Sequence, residues 1–250
     1  MNPYVQHLDR IEFVITLDCT GHCKHCSEGE HGMGGGYLDG DAAARAVYSL
    51  CGQFQIDSLM TFGGEPLLYF EEVCEIHSAA KEMKIPKRQI ITNGFFSKEK
   101  ERIHHIVTKL AESGVNQVLL SADAFHQETI PLEPVKLFAK AVRDIGIHIC
   151  LNPAWLVDNE DPNPYNIRTR EILDELRVIG LEECSGNIIF PEGNALKYLG
   201  KYFDEKKEYT SPYTENPRDI HAICVNPNGD VLGGNIYKND ILEILQNYTP

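Results

Sequence analysis

A chain of 250 residues that is 42 % hydrophobic is long and apolar enough to bury a large core, so it is globular. Its formal net charge of −14 opposes a polyanionic partner, because nonspecific affinity for nucleic acid rests on clustered Lys and Arg. No apolar run approaches a membrane span, and the N-terminus lacks the basic start and apolar core of a signal peptide, so a soluble cytoplasmic protein with no membrane partner is expected.

The first strand is the apolar run Phe13, Val14, Ile15, Thr16 and Leu17, and it leads directly into Cys19, Cys23 and Cys26. Three of the eight cysteines thus fall on one loop, at the spacing Cys-x-x-x-Cys-x-x-Cys. Thiolates at this density suit zinc, copper(I) or iron-sulfur clusters. A closed zinc site needs a fourth ligand, for which His22, His25 and His31 are nearest. A cubane cluster on three cysteines keeps one iron open to a substrate or cofactor. The spacing alone leaves both readings standing, beside that of three unrelated cysteines. Of the other cysteines, Cys51, Cys74 and Cys150 lie in apolar segments and read as reduced core residues.

The run Gly32, Met33, Gly34, Gly35 and Gly36 is too rich in glycine for regular structure and reads as a mobile connector beside the loop. Asp39 or Asp41 then caps a helix with Ala43, Ala46, Val47 and Leu50 on one face. Residues 57–62 form the second strand, and Phe70, Val73, Ile76, Ala80 and Met83 mark the next helix. Residues 89–92 are a strand, and Ser97 caps a helix that Gly114 closes. Strands follow at 115–120 and 147–151, separated by a helix stopping at Gly146. A further helix stops at Gly180, and the sixth strand is placed at residues 187–190.

Six strands alternating with amphipathic helices predict an α/β fold with a parallel sheet, an open or partial barrel. Residues 201–217 are polar and rich in Pro, and residues 223–231 read as a β-hairpin turning at Asn228-Gly229. The expected division is a barrel over residues 1–200 and a small appendage over 201–250.

In parallel α/β folds the working groups gather at the C-terminal strand ends. The six expected ends carry the cysteine loop, Gly63-Gly64-Glu65-Pro66, Asn93-Gly94, Ser121-Ala122-Asp123, Asn152-Pro153 and Pro191-Glu192-Gly193-Asn194. The cysteine spacing followed by Gly63-Gly64-Glu65-Pro66 resembles the radical S-adenosylmethionine (radical SAM) superfamily, over roughly residues 11–195. The resemblance implies a partial (β/α)6 TIM-like barrel and a [4Fe-4S] cluster on Cys19, Cys23 and Cys26. S-adenosyl-L-methionine would chelate the fourth iron, with His25 where the family has an aromatic near the adenine. Glu65 would accept a hydrogen bond from the methionyl ammonium, and Gly63 and Gly64, with Pro66, would let the backbone approach the ligand. Ser121 and Asp123 suit a ribose diol, joined by Asn152; Asn93 is either a cofactor contact or a left-handed turn. The implied chemistry is reductive cleavage to a 5′-deoxyadenosyl radical that takes hydrogen from a substrate.

The segment from Cys224 to Gly234 is similar to part of the auxiliary-cluster (SPASM/twitch-type) domains of some relatives, but Gly233-Gly234 stands where those have Pro-Cys. That makes it a degenerate remnant, with Cys184 and Cys224 left without assigned roles. His126 is a candidate proton donor or substrate anchor. The expected partners are a peptide or small-molecule substrate and an external one-electron reductant of flavodoxin or ferredoxin type. Peptide maturation leads on the appendage. A tRNA-modifying enzyme is the alternative that the negative charge disfavours, and a noncatalytic electron carrier or zinc protein needs neither Gly63-Gly64-Glu65-Pro66 nor a cavity.

Overall fold

The computed structural model describes residues 2–30, 32–204, 206, 207, 209, 211 and 214–250. The first five strands are β1 (Arg10–Thr16), β2 (Ser58–Gly63), β3 (Lys87–Thr92), β4 (Gln117–Leu120) and β5 (His148–Leu151). Then come β6 (Ala154–Trp155), β7 (Glu182–Glu183), β8 (Asn187–Ile188) and β9 (Ala222–Val225). Seven of them form one sheet in the order β7-β5-β4-β3-β2-β1-β9, and every pairing in it is parallel. An α/β architecture of this kind agrees with the partial barrel.

The helices between the strands are α1 (Gly40–Gln53), α2 (Phe70–Glu82), α3 (Lys100–Ser113), the single turn α4 (Ala124–Gln127), α5 (Leu132–Asp144) and α6 (Pro164–Arg177). Local chemistry sets their starts. Asp39 caps α1 by accepting from the Ala42 amide at 2.7 Å, and Asn163 caps α6 by accepting from Asn166 at 3.0 Å, with Pro164 at the first helical position. Ser97 lies two residues outside the cap of α3, which is Glu99; its hydroxyl accepts from the Glu99 amide and turns the chain into the helix. On the helix-covered face of the sheet, Ile11, Phe13, Leu59, Ile90, Val118 and Leu120 are fully buried. Each contributes roughly 1.5–3 kcal/mol on burial, before the entropy of ordering is counted. Alternation puts Phe62, Ile91 and Leu119 on the other face, where they are only half-buried.

Four expectations are corrected. The sixth strand of the sheet is β7, and Asn187–Ile188 instead pairs with β6 in a separate two-stranded piece. Both glutamates of β7 are exposed at the sheet edge, so it carries no hydrophobic signal, whereas the apolar run 187–190 imitates a buried strand. The Asn228-Gly229 turn exists, with the Asn226 amide donating to Asp230 O, but the strand before it joins the main sheet. Ile223 and Val225 of β9 lie in register with Ile11 and Phe13 and are buried with them; after the turn, β10 (Asp230–Val231) pairs with β11 (Gly234–Asn235). Cys150 is not a lone thiol: it forms a disulfide with Cys184, Cα–Cα 5.8 Å, because the two stand on adjacent strand ends. Cys184 therefore lies near one edge of the sheet and Cys224 at the other. Finally, the glycine run is tethered, the Gly35 amide donating to Asp18 Oδ1 and Thr16 Oγ1 donating to Gly36 O.

The short helices α7 (Gly193–Leu199) and α8 (Ile241–Asn247) complete the chain, with α8 against α1. Among the described residues, no helix is long and apolar enough to cross a membrane.

Candidate active site

The cysteine loop leaves the end of β1 and is fastened on two sides. On one side, Asn93 Nδ2 donates to Cys19 Sγ at 3.6 Å and to Thr20 Oγ1 at 3.2 Å, and Thr20 donates to Phe95 O at 2.7 Å. On the other, the Asn194 amide donates to Cys26 O at 2.9 Å and its side chain to Cys23 O at 3.1 Å. Cys23 is buried, while Cys19 and Cys26 are half-buried. Burial is the main cause that raises all three thiol pKa values, Cys19 to about 11, and the charges of Cys19 and Cys26 raise Cys23 further. Three crowded thiols are thus reluctant to ionise on their own. A metal centre that supplies positive charge resolves that conflict.

His25 lies against this loop, its ring 4.9 Å from those of Phe125 and His126. Burial lowers its pKa to about 4, and its Nδ1 is buried without a hydrogen-bond partner. An orphaned polar atom beside a three-thiol loop suits a site built for a ligand that brings its own polar groups. Ligating atoms of Cys23, His25 and His126 lie within 4.8 Å of one another, a zinc-like set that leaves Cys19 and Cys26 unused. His22 is exposed and holds the loop through its backbone amide, which donates to Thr129 Oγ1; His31 lies outside the described residues.

Gly63 and Gly64 close the end of β2. A Cβ on Gly63, whose φ is +141°, would stand 2.3 Å from Thr16 O, and one on Gly64 would stand 2.1 Å from Asp18 O. The two glycines are therefore required by the close approach of the chain at and just after the end of β1, whatever a ligand also demands of them. Glu65 is fully buried. Its carboxylate accepts from the Leu67 amide at 3.0 Å, the Asn93 amide at 2.9 Å and the Thr92 hydroxyl at 2.7 Å. Burial pushes its pKa up to about 7, against those three hydrogen bonds. Pro66 opens the 3-10 turn Pro66–Tyr69 that Glu65 caps. Asn93 takes part in the Gly94 turn, its Oδ1 accepting from the Phe95 amide, and its side-chain amide also reaches Cys19.

Ser121 and Asn152 lie half-buried on neighbouring strand ends, one step beyond the paired Leu120 and Leu151. Asp123 is fully buried and turned into the chain. Oδ1 accepts from the Phe125 and His126 amides at 2.9 and 3.0 Å, and Oδ2 from Ala154 N at 3.0 Å and His126 Nδ1 at 2.8 Å. Burial raises its pKa, but the His126 imidazole and these donors outweigh it and hold the carboxyl below its ordinary range.

Sequence reasoning missed Thr92, which supports Glu65, and Asn194. The signal for Asn194 was the preceding Gly193, at φ +51°, where a Cβ would stand 2.3 Å from Ser27 O. Such a contact marks a backbone crossing over the cysteine loop, but nothing in the one-dimensional pattern says which loop is crossed.

A parallel sheet whose first strand ends in a three-thiol loop, bordered by strand-end polar groups, has the layout of an α/β enzyme with its working groups at the C-terminal strand ends. The family model for the radical SAM superfamily matches residues 13–152. The chain belongs to that superfamily and uses its cofactors, a [4Fe-4S] cluster and S-adenosyl-L-methionine. Among solved structures it is similar to Streptococcus suis SuiB bound to S-adenosylmethionine, with 15 % identity and TM-score 0.62 over 97 % of this chain and 66 % of that one. SuiB bound to its precursor peptide SuiA gives 14 % and 0.61, over 97 % and 65 %. The chain thus spans about two thirds of SuiB. BtrN in complex with AdoMet and 2-DOIA gives 16 % and 0.51, over 96 % and 82 %. Native anSMEcpe with AdoMet and the Cp18Cys peptide gives 13 % and 0.58, over 96 % and 80 %. No curated protein sequence matches the chain.

Proposed function

We propose that this enzyme modifies a peptide, with Cys19, Cys23 and Cys26 holding the cluster and the open face of the sheet receiving the substrate. The observation that carries the reading is the contrast between faces: Leu59, Ile90, Val118 and Leu120 are fully buried under helices, while Phe62, Ile91 and Leu119 towards the strand ends of the other face stay partly exposed. An apolar surface left open suits an extended chain better than a small polar metabolite. SuiB with SuiA and anSMEcpe with its peptide lend this support; BtrN with 2-DOIA favours a small molecule as the second reading.

The cluster and S-adenosyl-L-methionine, when bound, would supply the radical chemistry that removes hydrogen from a substrate. The chain's own work is positioning. Asn93 and Asn194 fix the cysteine loop from opposite sides, and His25, with its unpaired Nδ1, would line the adenine. Ser121 and Asn152 would hold the ribose. Glu65 holds the ends of β2 and β3 together and would accept from the ammonium, with Gly63, Gly64 and Pro66 shaping that edge. Asp123 acts by orienting His126, which stands where it can anchor a substrate or hold a proton.

The test is anaerobic turnover of the reconstituted enzyme with dithionite and S-adenosyl-L-methionine, reading 5′-deoxyadenosine. A degenerate peptide library should stimulate its formation several-fold over a metabolite extract passed through a small-pore filter. Stimulation by the extract alone overturns the peptide reading, and product that persists in Cys23→Ala overturns the cluster assignment.

A further inference from the structure

The opposite end of β1 carries a second constellation, made of His7, Asp219 and His221. It stands about 20 Å from the cysteine loop, given a rise of about 3.3 Å per residue along the seven residues of β1. His7 Nδ1 lies 2.7 Å from Asp219 Oδ1, and His221 Nε2 lies 3.5 Å from Asp219 Oδ2. The two imidazoles stack with centroids 5.5 Å apart and planes inclined by 24°. One ligating atom from each residue falls within 4.8 Å of the others. We propose that His7, Asp219 and His221 form a site for a divalent transition metal, which staples the N-terminal segment to the edge strand β9.

The backbone beneath the three side chains is already fixed. The amides of Asp9 and Arg10 both donate to His221 O, at 3.0 and 3.1 Å, and Ile220 N donates to Tyr4 O at 2.8 Å. Asp219 closes a turn by donating to Asn216 O at 2.9 Å, and the His221 amide donates to Glu215 Oε2 at 3.0 Å. Two segments 212 residues apart in sequence therefore meet on one rigid platform. Only side-chain rotations remain to be made. A tetrahedral centre with bonds of about 2.0–2.2 Å to nitrogen and oxygen needs its ligand atoms roughly 3.3 Å apart, within reach of exposed side chains that already stand this near.

The donor set names the metal class. Two imidazoles and one carboxylate suit Zn²⁺, Ni²⁺ or Cu²⁺, whereas Ca²⁺ and Mg²⁺ take oxygen ligands. All three side chains keep one face in water, so the remaining coordination positions fall to solvent. No thiol takes part, which separates this site from the cysteine loop in chemistry as well as in position.

The test uses cluster-loaded enzyme, in which the three loop cysteines are occupied, and Zn²⁺ as the probe. Isothermal titration and metal analysis after gel filtration should find about one zinc per chain beyond the cluster iron. His7→Ala or His221→Ala should weaken binding at least tenfold, and the double variant should abolish it. Hydrogen exchange at the Arg10 amide, which bonds to His221 O, should slow several-fold with Zn²⁺ in the wild type and not in the double variant. Should an alanine variant fail to keep the β1–β9 pairing, His7→Gln preserves side-chain bulk and removes the imidazole. Absence of retained zinc, zinc retained equally by the double variant, or exchange at Arg10 indifferent to zinc overturns the proposal.

Discussion

Two fully buried carboxylates, Glu65 at the end of β2 and Asp123 after β4, brace the site from its two sides and are held in opposite ways. Glu65 is met only by neutral donors, two backbone amides and a threonine hydroxyl, and its burial wins: the pKa rises to about 7. Asp123 accepts from three backbone amides and has, in addition, the His126 imidazole at 2.8 Å; burial still pushes upward, but the balance tips and the pKa falls. In this pair burial prevails where the donors are all neutral and gives way where the His126 imidazole joins them. The side of Glu65 is thus sensitive to pH where the side of Asp123 is not.

The largest expected effect tests whether the Glu65 side is a matter of chain packing. Gly64→Ala forces a Cβ to 2.1 Å from Asp18 O, a backbone atom that cannot swing aside. We expect a loss of about 4 kcal/mol or more in the cluster-free protein, measured by urea denaturation. A variant as stable as wild type without cofactors, and impaired only in binding S-adenosyl-L-methionine, would restore the reading in which the ligand demands the glycine.

The second effect is on pH dependence. Because the Glu65 pKa is raised from 4.5 to about 7, the folded protein keeps a proton that the unfolded chain has already released. Stability should therefore fall as pH rises from 4.5 to 7, by about 3 kcal/mol in all, since each pH unit between those two values costs about 1.4 kcal/mol. Glu65→Gln should flatten that slope in the cluster-free protein. Asp123 has the opposite sign: its contribution is complete above its unfolded pKa of 3.8 and is lost only as pH falls further. Asp123→Asn should cost about 2 kcal/mol at neutral pH, with the slope between pH 4.5 and 7 unchanged. Equal slopes for wild type and Glu65→Gln would break the comparison.

The same two sides differ in how far the sequence exposes them. From β1 to β5 each strand holds an apolar stretch that ends in a polar turn, and the long helices between them show an apolar stripe, so the order of these elements can be read from the sequence. Beyond Asn152 the pattern misleads. Glu182–Glu183 is a strand by pairing alone, Asn187–Ile188 pairs outside the main sheet, and β9 is recruited from the far end of the chain. Hydrophobic periodicity reports burial rather than partners, and these elements are defined by partners. Cys150–Cys184 escaped for the same reason. The cysteine loop and Glu65 were legible as motifs; Thr92 and Asn194 were not, since a supporting hydrogen bond leaves no spacing of its own.

Asn194 gives the smallest effect and the most local one. Its side chain donates to Cys23 O at 3.1 Å, while its amide bond to Cys26 O survives any substitution except proline. Asn194→Ala should thus cost only about 1 kcal/mol, the net worth of one buried hydrogen bond, since Cys23 O keeps its bond from the Cys26 amide. The consequence should appear in the loop rather than in the fold: cluster assembly, followed by absorbance and iron content, should be less complete. The pH slope set by Glu65 on the far side should be untouched. Asn93→Ala removes the contact to Cys19 together with the turn at Phe95, and so should impair both loop and strand end. If Asn194→Ala altered the slope and Asn93→Ala did not, the two sides would be coupled through the loop instead of bracing it separately.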